Sequence, residues 1–300
     1  MTKHFLAECL ATPWAMDPKY IKAYGDMLVR GYQRHEARAA GSHEGEERAA
    51  PQAARQAATP KILSPGIGVV SVTGALVSHA SDLGPCDGGI SYDSVRGALR
   101  AAQADDQVGQ ILLAIDSPGG SVFGCMELAD DIRNSSKPVT AIACYTAASA
   151  AYWLGSAASE FWVSPSGQVG SIGVWMAHQD VTGAMEQQGI VTTLISAGKY
   201  KVEGNPYEPL GEDARANMQA SVDEFYTSFV KAVAKGRNVS VDAVRNGMGQ
   251  GRMLAAKDAL AEKMVDQVGT FEDCVAAMQR KARRSSGAAR ARAQLAIASA

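Results

Sequence analysis

Ile111-Leu112-Leu113-Ala114-Ile115-Asp116-Ser117-Pro118-Gly119-Gly120-Ser121 is the stretch from which this chain is best read. Its five successive apolar residues have the length and composition of a strand buried on both faces. An aspartate, a proline and two glycines end the run, and Ser121 stands where it would cap a following helix. Strand, tight glycine turn and helix make the connection of an α/β architecture, in which helices cover parallel strands. The same alternation continues outward. Residues 69–72, 139–144, 161–163 and 191–195 are further short β-favouring runs. Between them Val95, Leu99 and Ala102 recur at helical spacing, as do Val122, Met126 and Ala129, and a longer helix is expected from Glu212 to about Lys235.

The 300 residues, 46% hydrophobic and 20% charged, suffice for one large domain with appendages. Residues 37–59 are crowded with Ala, Arg, Glu, Gln and Gly and lack large apolar side chains, so they cannot bury enough surface to offset the entropy of ordering. The expected division is an N-terminal helical segment (1–36, with helical apolar spacing over 18–33), a flexible linker (37–60), the main body (61–279) and a basic tail (280–300). Beyond Asp273 no acidic residue remains, whereas Arg280, Lys281, Arg283, Arg284, Arg290 and Arg292 do. The tail reads as a frayed helix end followed by a solvated segment, with weak contact to nucleic acid or an acidic partner as the alternative.

A net charge of -2 supplies no global field for nucleic acid or an anionic membrane. The N-terminal region, from Met1-Thr2-Lys3-His4 onward, never reaches the roughly 18 apolar residues of a membrane span, so neither secretion nor anchoring is expected. Five cysteines (Cys9, Cys86, Cys125, Cys144, Cys274) are an odd number with no CxxC pair. They suggest neither a disulfide framework nor a metal site, and a reducing cytoplasm fits them.

Four elements carry chemistry. The Gly119-Gly120 turn presents bare backbone N–H groups at a helix start, where they could stabilise an oxyanion, although glycine also punctuates plain connections. Tyr145-Thr146-Ala147-Ala148-Ser149-Ala150-Ala151-Tyr152-Trp153 sets one serine among small residues directly after a strand. A nucleophile on a sharp strand-to-helix bend needs such neighbours, since bulk would block both the bend and the approaching carbonyl; a helix-capping serine needs them too. A base must come from elsewhere. Of the five histidines only His79 and His178 lie in the main body, and a triad with Asp116 or Asp180 has no recognisable spacing behind it. Lysine serves if burial lowers its pKa, and Lys199 and Lys201 lie among aromatic and glycine residues, although for either one taken alone a solvated surface role is the commoner reading. Val169-Gly170-Ser171-Ile172-Gly173-Val174 reads as a strand with close backbone contacts, whose serine could hold a neutral lysine amine in line.

In this order the four elements resemble the signal peptide peptidase A family (S49-type), and within it the capsid-assembly proteases of lambda-like phages. The resemblance runs from about Ile67 to Met278 and includes Lys201-Val202-Glu203-Gly204-Asn205-Pro206-Tyr207. It implies a ClpP/crotonase-like α/β fold, Ser149 as nucleophile, Lys201 as general base in preference to Lys199, Ser171 as the residue orienting the lysine, and oxyanion donors at Gly119, Gly120 and Ala150. It also implies no cofactor or metal, a homo-oligomer, no membrane, and protein or peptide substrates such as capsid scaffold and portal, met in the host cytoplasm or the assembling prohead. Where many bacterial members have Gly-Gly after the serine, this chain has Ala150-Ala151. The alternatives are a cytoplasmic signal-peptide or oligopeptide peptidase, a non-catalytic capsid- or scaffold-binding protein, and, by fold analogy alone, an acyl-CoA-processing enzyme.

Overall fold

The computed structural model describes residues 12–20, 25–26, 61–63, 66–79 and 89–298. The expected linker and most of the expected N-terminal helix lie outside these residues. What is described near the start is a strand, β1 (Trp14–Met16), and a single 3-10 turn at Pro18–Tyr20.

The body begins with β2 (Lys61–Leu63), β3 (Ile67–Thr73), β4 (Ala75–Val77) and β5 (Gly89–Ser91), which leads into α1 (Tyr92–Ala104). The Ser91 hydroxyl caps α1 by accepting the Ser94 N–H, and the helix buries Val95, Leu99 and Ala102 as their spacing predicts. Next come β6 (Gln110–Ser117), β7 (Gly119–Ser121), α2 (Cys125–Arg133), β8 (Val139–Ala148), α3 (Ala150–Ser156), β9 (Glu160–Val163) and β10 (Gln168–Gly170). The chain then runs through α4 (Thr182–Glu186), α5 (Glu212–Arg237), α6 (Val241–Asn246), β11 (Met253–Ala255), α7 (Ala256–Ala261), β12 (Gln267–Val268) and α8 (Phe271–Ala298).

The main sheet runs β11-β10-β8-β6-β3-β2, with β3, β6 and β8 parallel at its centre. The ten-residue β8 serves two neighbours. Its first half pairs with β9 through residues 140–143, and its last three residues pair with β10. The sheet therefore divides just before residue 149. Ile111, Leu113 and Ile115 of β6 face a core shared with α1, α2, α3 and α5, whereas Leu112 faces Ile67, Ile142, Trp162, Cys274 and Met278 under α8. Burial on both faces accounts for the unbroken apolar run at 111–115. A second sheet, β1-β7-β4-β5, lies beside the first.

Three expectations are corrected. Ser121 does not cap a helix: it ends β7, its Oγ accepts the Phe123 N–H, and α2 starts only after Gly124, whose φ of 94° turns the chain. With that later start α2 buries Cys125, Leu128, Ala129 and Ile132, and Met126 points outward. Residues 191–195 form no strand; Val191 is 89% and Ile195 96% exposed, and among the described residues no strand pairs with them. The Val169–Val174 strand is shorter than read, regular only over β10. Helix α5 does match its pattern, and Asn238 in the left-handed conformation (φ 53°) ends it behind Lys235 and Arg237. The tail begins as part of α8, which is helical through Ala298.

Arg237, with a side chain only 5% exposed, fastens the end of α5 to the sheet. Its guanidinium donates to both oxygens of Asp266, at 2.6 and 2.9 Å, while Asp266 also accepts the Phe161 N–H at 2.7 Å. Partial burial works against the Asp266 carboxylate, but the Arg237 and Phe161 donors outweigh it and hold its pKa below the usual value of 3.8. A depressed pKa in the folded state adds stability above that usual value, and this is lost as the pH falls through the folded-state pKa. Asp266→Asn is expected to lower unfolding free energy at pH 7 by about 1–2 kcal/mol, a figure reduced for the partial exposure of the pair. In urea melts the gap between wild type and variant should narrow steadily below about pH 4; a gap that does not change with pH would assign the loss to packing instead.

Candidate active site

Ser149 is the single residue between β8 and α3. Its φ of 53° and ψ of -116° bend the chain from strand to helix in one step. For a residue with a β-carbon this conformation costs on the order of 1–3 kcal/mol, and surrounding contacts must hold it. They do so from both sides: the Ser149 N–H donates to the Gly170 carbonyl at 2.7 Å, and its carbonyl accepts the Trp153 N–H at 2.9 Å. Ala147, Ala148, Ala150 and Ala151 are all fully buried around it, so the small residues of the sequence are a packing requirement of this bend. All of α3 is buried, with Trp153 stacked on Phe229 of α5 at 4.6 Å.

The Gly119-Gly120 turn arrives from the other side. Gly119 has a φ of +91°, and a β-carbon there would stand 2.8 Å from the Ala148 carbonyl oxygen and 3.0 Å from the Ala150 nitrogen. The turn is thus in backbone contact with both residues that flank Ser149, and only glycine permits it. Gly119 N–H donates to Ser117 Oγ at 3.2 Å, a long bond. Gly120 is pressed against β4, where a β-carbon would fall 1.9 Å from the Leu76 carbonyl oxygen. Ala150 N–H belongs to the first turn of α3, so no carbonyl of that helix can accept it.

Residues 170–173 close the third side. The Gly170 carbonyl takes the Ser149 N–H, and the Gly173 carbonyl accepts the Ser149 hydroxyl at 3.3 Å. Between these two acceptors lies Ser171, buried, with a φ of 53° and its N–H on the Arg252 carbonyl at 2.9 Å. Both serines singled out in the sequence are held in the left-handed region, and such outliers cluster where geometry serves function.

Lys201 stands apart. It lies in a turn closed by its own N–H on the Gly198 carbonyl at 3.1 Å, its side chain is exposed, and among the described residues its amine makes no hydrogen bond to Ser149 or Ser171. Lys199 is turned onto the Tyr200 ring, 4.5 Å from its centroid. The histidine alternatives are committed elsewhere: His178 Nε2 pairs with the Asn205 carbonyl at 2.9 Å, Asp180 with Thr182, and Asp116 with the Thr146 N–H. His79 pairs with Asp93.

Two tryptophans beside the site carry no signal in the sequence reading. Trp14 of β1 and Trp175 exchange both backbone hydrogen bonds, at 2.8 and 3.0 Å, and β1 also pairs antiparallel with β7. The prolines on either side of Trp14-Ala15-Met16-Asp17 were the available clue, because a residue before proline is driven to extended backbone.

Residues 131–284, more than half of the chain, match the model of Peptidase family S49. The chain belongs to peptidase family S49. Its fold is accordingly ClpP-like, as the family resemblance implied. Among similar proteins are the Head-tail preconnector protein GP5 of Enterobacteria phage P21, 37% identical over 71% of this chain and 42% of that protein, and the Capsid assembly protease C of Escherichia phage lambda, 35% identical over 78% of this chain and 54% of that one. A third is the Putative protease MJ0651 of Methanocaldococcus jannaschii, 34% identical over 60% of this chain and 58% of its own length. The chain spans about half the length of these curated relatives. Among the described residues no helix is long and apolar enough to cross a membrane, and no cluster of His, Cys, Asp or Glu is placed to hold a metal ion.

Proposed function

We propose that this chain is a serine endopeptidase that uses Ser149 as nucleophile and Lys201 as general base on head proteins of a phage or prophage. The observation that carries the reading is the bend at Ser149, held in a strained conformation between the Gly119 turn and residues 170–173 in a member of a peptidase family. A neutral Lys201 amine removes the Ser149 proton as the oxygen attacks a peptide carbonyl, and N–H groups of Gly119, Gly120 and Ala150 hold the oxyanion. Ser171 orients the lysine. Protonated Lys201 then gives its proton to the leaving amine; the same amine next takes a proton from a water that attacks the acyl carbon, and returns it to the Ser149 oxygen as the carboxylic acid departs. The Gly119 N–H gives up its long bond to Ser117 as the oxyanion forms. The chemistry balances as hydrolysis without any cofactor.

With its side chain exposed and not bonded to Ser149, Lys201 must be enclosed and brought to Ser149 before it can serve as the base. The exposed run 190–195, with Ile190, Val191, Leu194 and Ile195 uncovered, supports a second copy of the chain as what covers this segment. On this reading the homo-oligomer completes the site. The names of the phage relatives, a capsid assembly protease and a head-tail preconnector protein, support scaffold, portal or other head proteins as substrates, in the host cytoplasm or the assembling prohead. Incubation with purified scaffold and portal proteins is expected to give discrete fragments that Ser149→Ala does not give, from a species that light scattering sizes above one chain. Intact scaffold and portal after incubation with a chain that still cleaves casein would remove the capsid assignment and leave a general peptidase.

A further inference from the structure

The strand β1 fills a slot rather than merely lying on the surface. Its odd residues face β7: the Pro13 carbonyl accepts the Val122 N–H, Ala15 is in register with Gly120, and the Asp17 N–H donates to the Pro118 carbonyl at 3.0 Å. Its even residues face the other way. Trp14 exchanges both backbone bonds with Trp175, and the Met16 carbonyl accepts the Trp175 indole N–H at 2.8 Å. Both edges of a three-residue strand are satisfied, and Trp14, Ala15, Met16 and Asp17 are all buried. The Ala15 carbonyl oxygen would lie 2.3 Å from a Gly119 β-carbon, the same point that is 3.0 Å from the Ala150 nitrogen. The strand therefore runs across the mouth of the Gly119 turn, the turn that borders Ser149, itself only 1% exposed.

The geometry points to β1 as an internal pseudosubstrate: an extended peptide from the chain's own N-terminal region that occupies the edge of β7 beside Ser149 and must leave before a substrate can enter. This rests on Ser149 being the nucleophile. An extended substrate reaching Ser149 beside Gly119 is recognised through the backbone groups of β7, and two strands cannot use the same edge at once. β1 belongs to the same chain as the site it fills and so competes at high effective concentration; only a peptide that binds well, or one presented at high local concentration, displaces it.

The test uses the full chain, a tripeptidyl diphenyl phosphonate with small apolar residues, and mass spectrometry to locate the label. Trp14→Ala/Met16→Ala is expected to label Ser149 at least tenfold faster than wild type, because the strand loses its two large side chains while every proposed catalytic group stays. Wild type needs no variant to give a second answer. Once labelled, its amides at 14–17 should lose protection from hydrogen exchange while those of β6 and β8 keep theirs. Equal labelling rates in wild type and the double variant, or undiminished protection at 14–17 in the labelled wild type, would show that β1 is a fixed wall and end the proposal. Absence of label at Ser149 in both chains would instead overturn the Ser149 reading, and the pseudosubstrate with it.

Discussion

Ser149→Ala and Lys201→Ala are each expected to lower peptide-bond hydrolysis by ~10³-fold or more with thermal unfolding changed little, while Lys199→Ala and His178→Ala should keep most of the wild-type rate. The size follows from what each group does. In the proposed mechanism no acyl-enzyme forms without the hydroxyl, and without the amine the hydroxyl keeps its proton; the activity left over is then the contribution of oxyanion donors and binding alone. Folding should be spared for different reasons in the two cases. Lys201 is exposed and its side chain makes no hydrogen bond or ion pair among the described residues, so its truncation removes none there. Ser149 loses one hydrogen bond at 3.3 Å, and alanine is its size. The bend itself is held by the Ser149 N–H on Gly170 and does not need the hydroxyl. The two controls separate the dyad from its rivals: Lys199 sits over the Tyr200 ring and His178 is bonded to the Asn205 carbonyl. Peptide turnover and a melt for all four proteins decide it. A fully active Lys201→Ala, or an inactive His178→Ala that is still folded, would transfer the base away from Lys201.

Gly119→Ala should be nearly as damaging, by another route. At a φ of +91° an alanine is strained wherever it sits, and here its β-carbon would meet backbone at 2.3, 2.8 and 3.0 Å, from Ala15, Ala148 and Ala150. None of these is the movable end of a side chain, so the turn must back away from the Ser149 bend. A shift of a few tenths of an ångström is enough to spoil donors aimed at a developing oxyanion, and loss of one such donor costs ~10²–10³ in kcat. Stability should fall by about 1–3 kcal/mol from the strain. Comparing kcat and KM with the melting temperature tells the two apart: the expected variant is folded at 25 °C with depressed kcat, and a folded Gly119→Ala with unchanged kcat would exclude the turn from the oxyanion site.

Much of this architecture can be read from local pattern. The apolar run 111–115 is buried on both faces, Val95, Leu99 and Ala102 line one side of α1, and the small residues around position 149 mark a bend that admits no bulk. Each of these is a matter of periodicity or side-chain volume, properties that the residues carry with them. Residues 191–195 show where this fails. Their β-branched composition describes a surface that pairs well, but among the described residues no strand edge meets them. Helix α2 failed differently, by register, because β7 consumed residues that the pattern had assigned to the helix start.

By itself, then, the amino-acid order determined the parallel α/β plan, the one serine that a strand-to-helix bend can carry, and the glycines that must approach it without side chains. Only the tertiary structure decided that residues 170–173 grip that serine from one side, that Lys201 is left outside, and that Trp14–Met16 slides between β7 and Trp175. The reason lies in the backbone. Strand edges join through N–H and C=O groups that every residue but proline offers alike, so no side chain announces which edge a segment will find until the rest of the fold has brought it there.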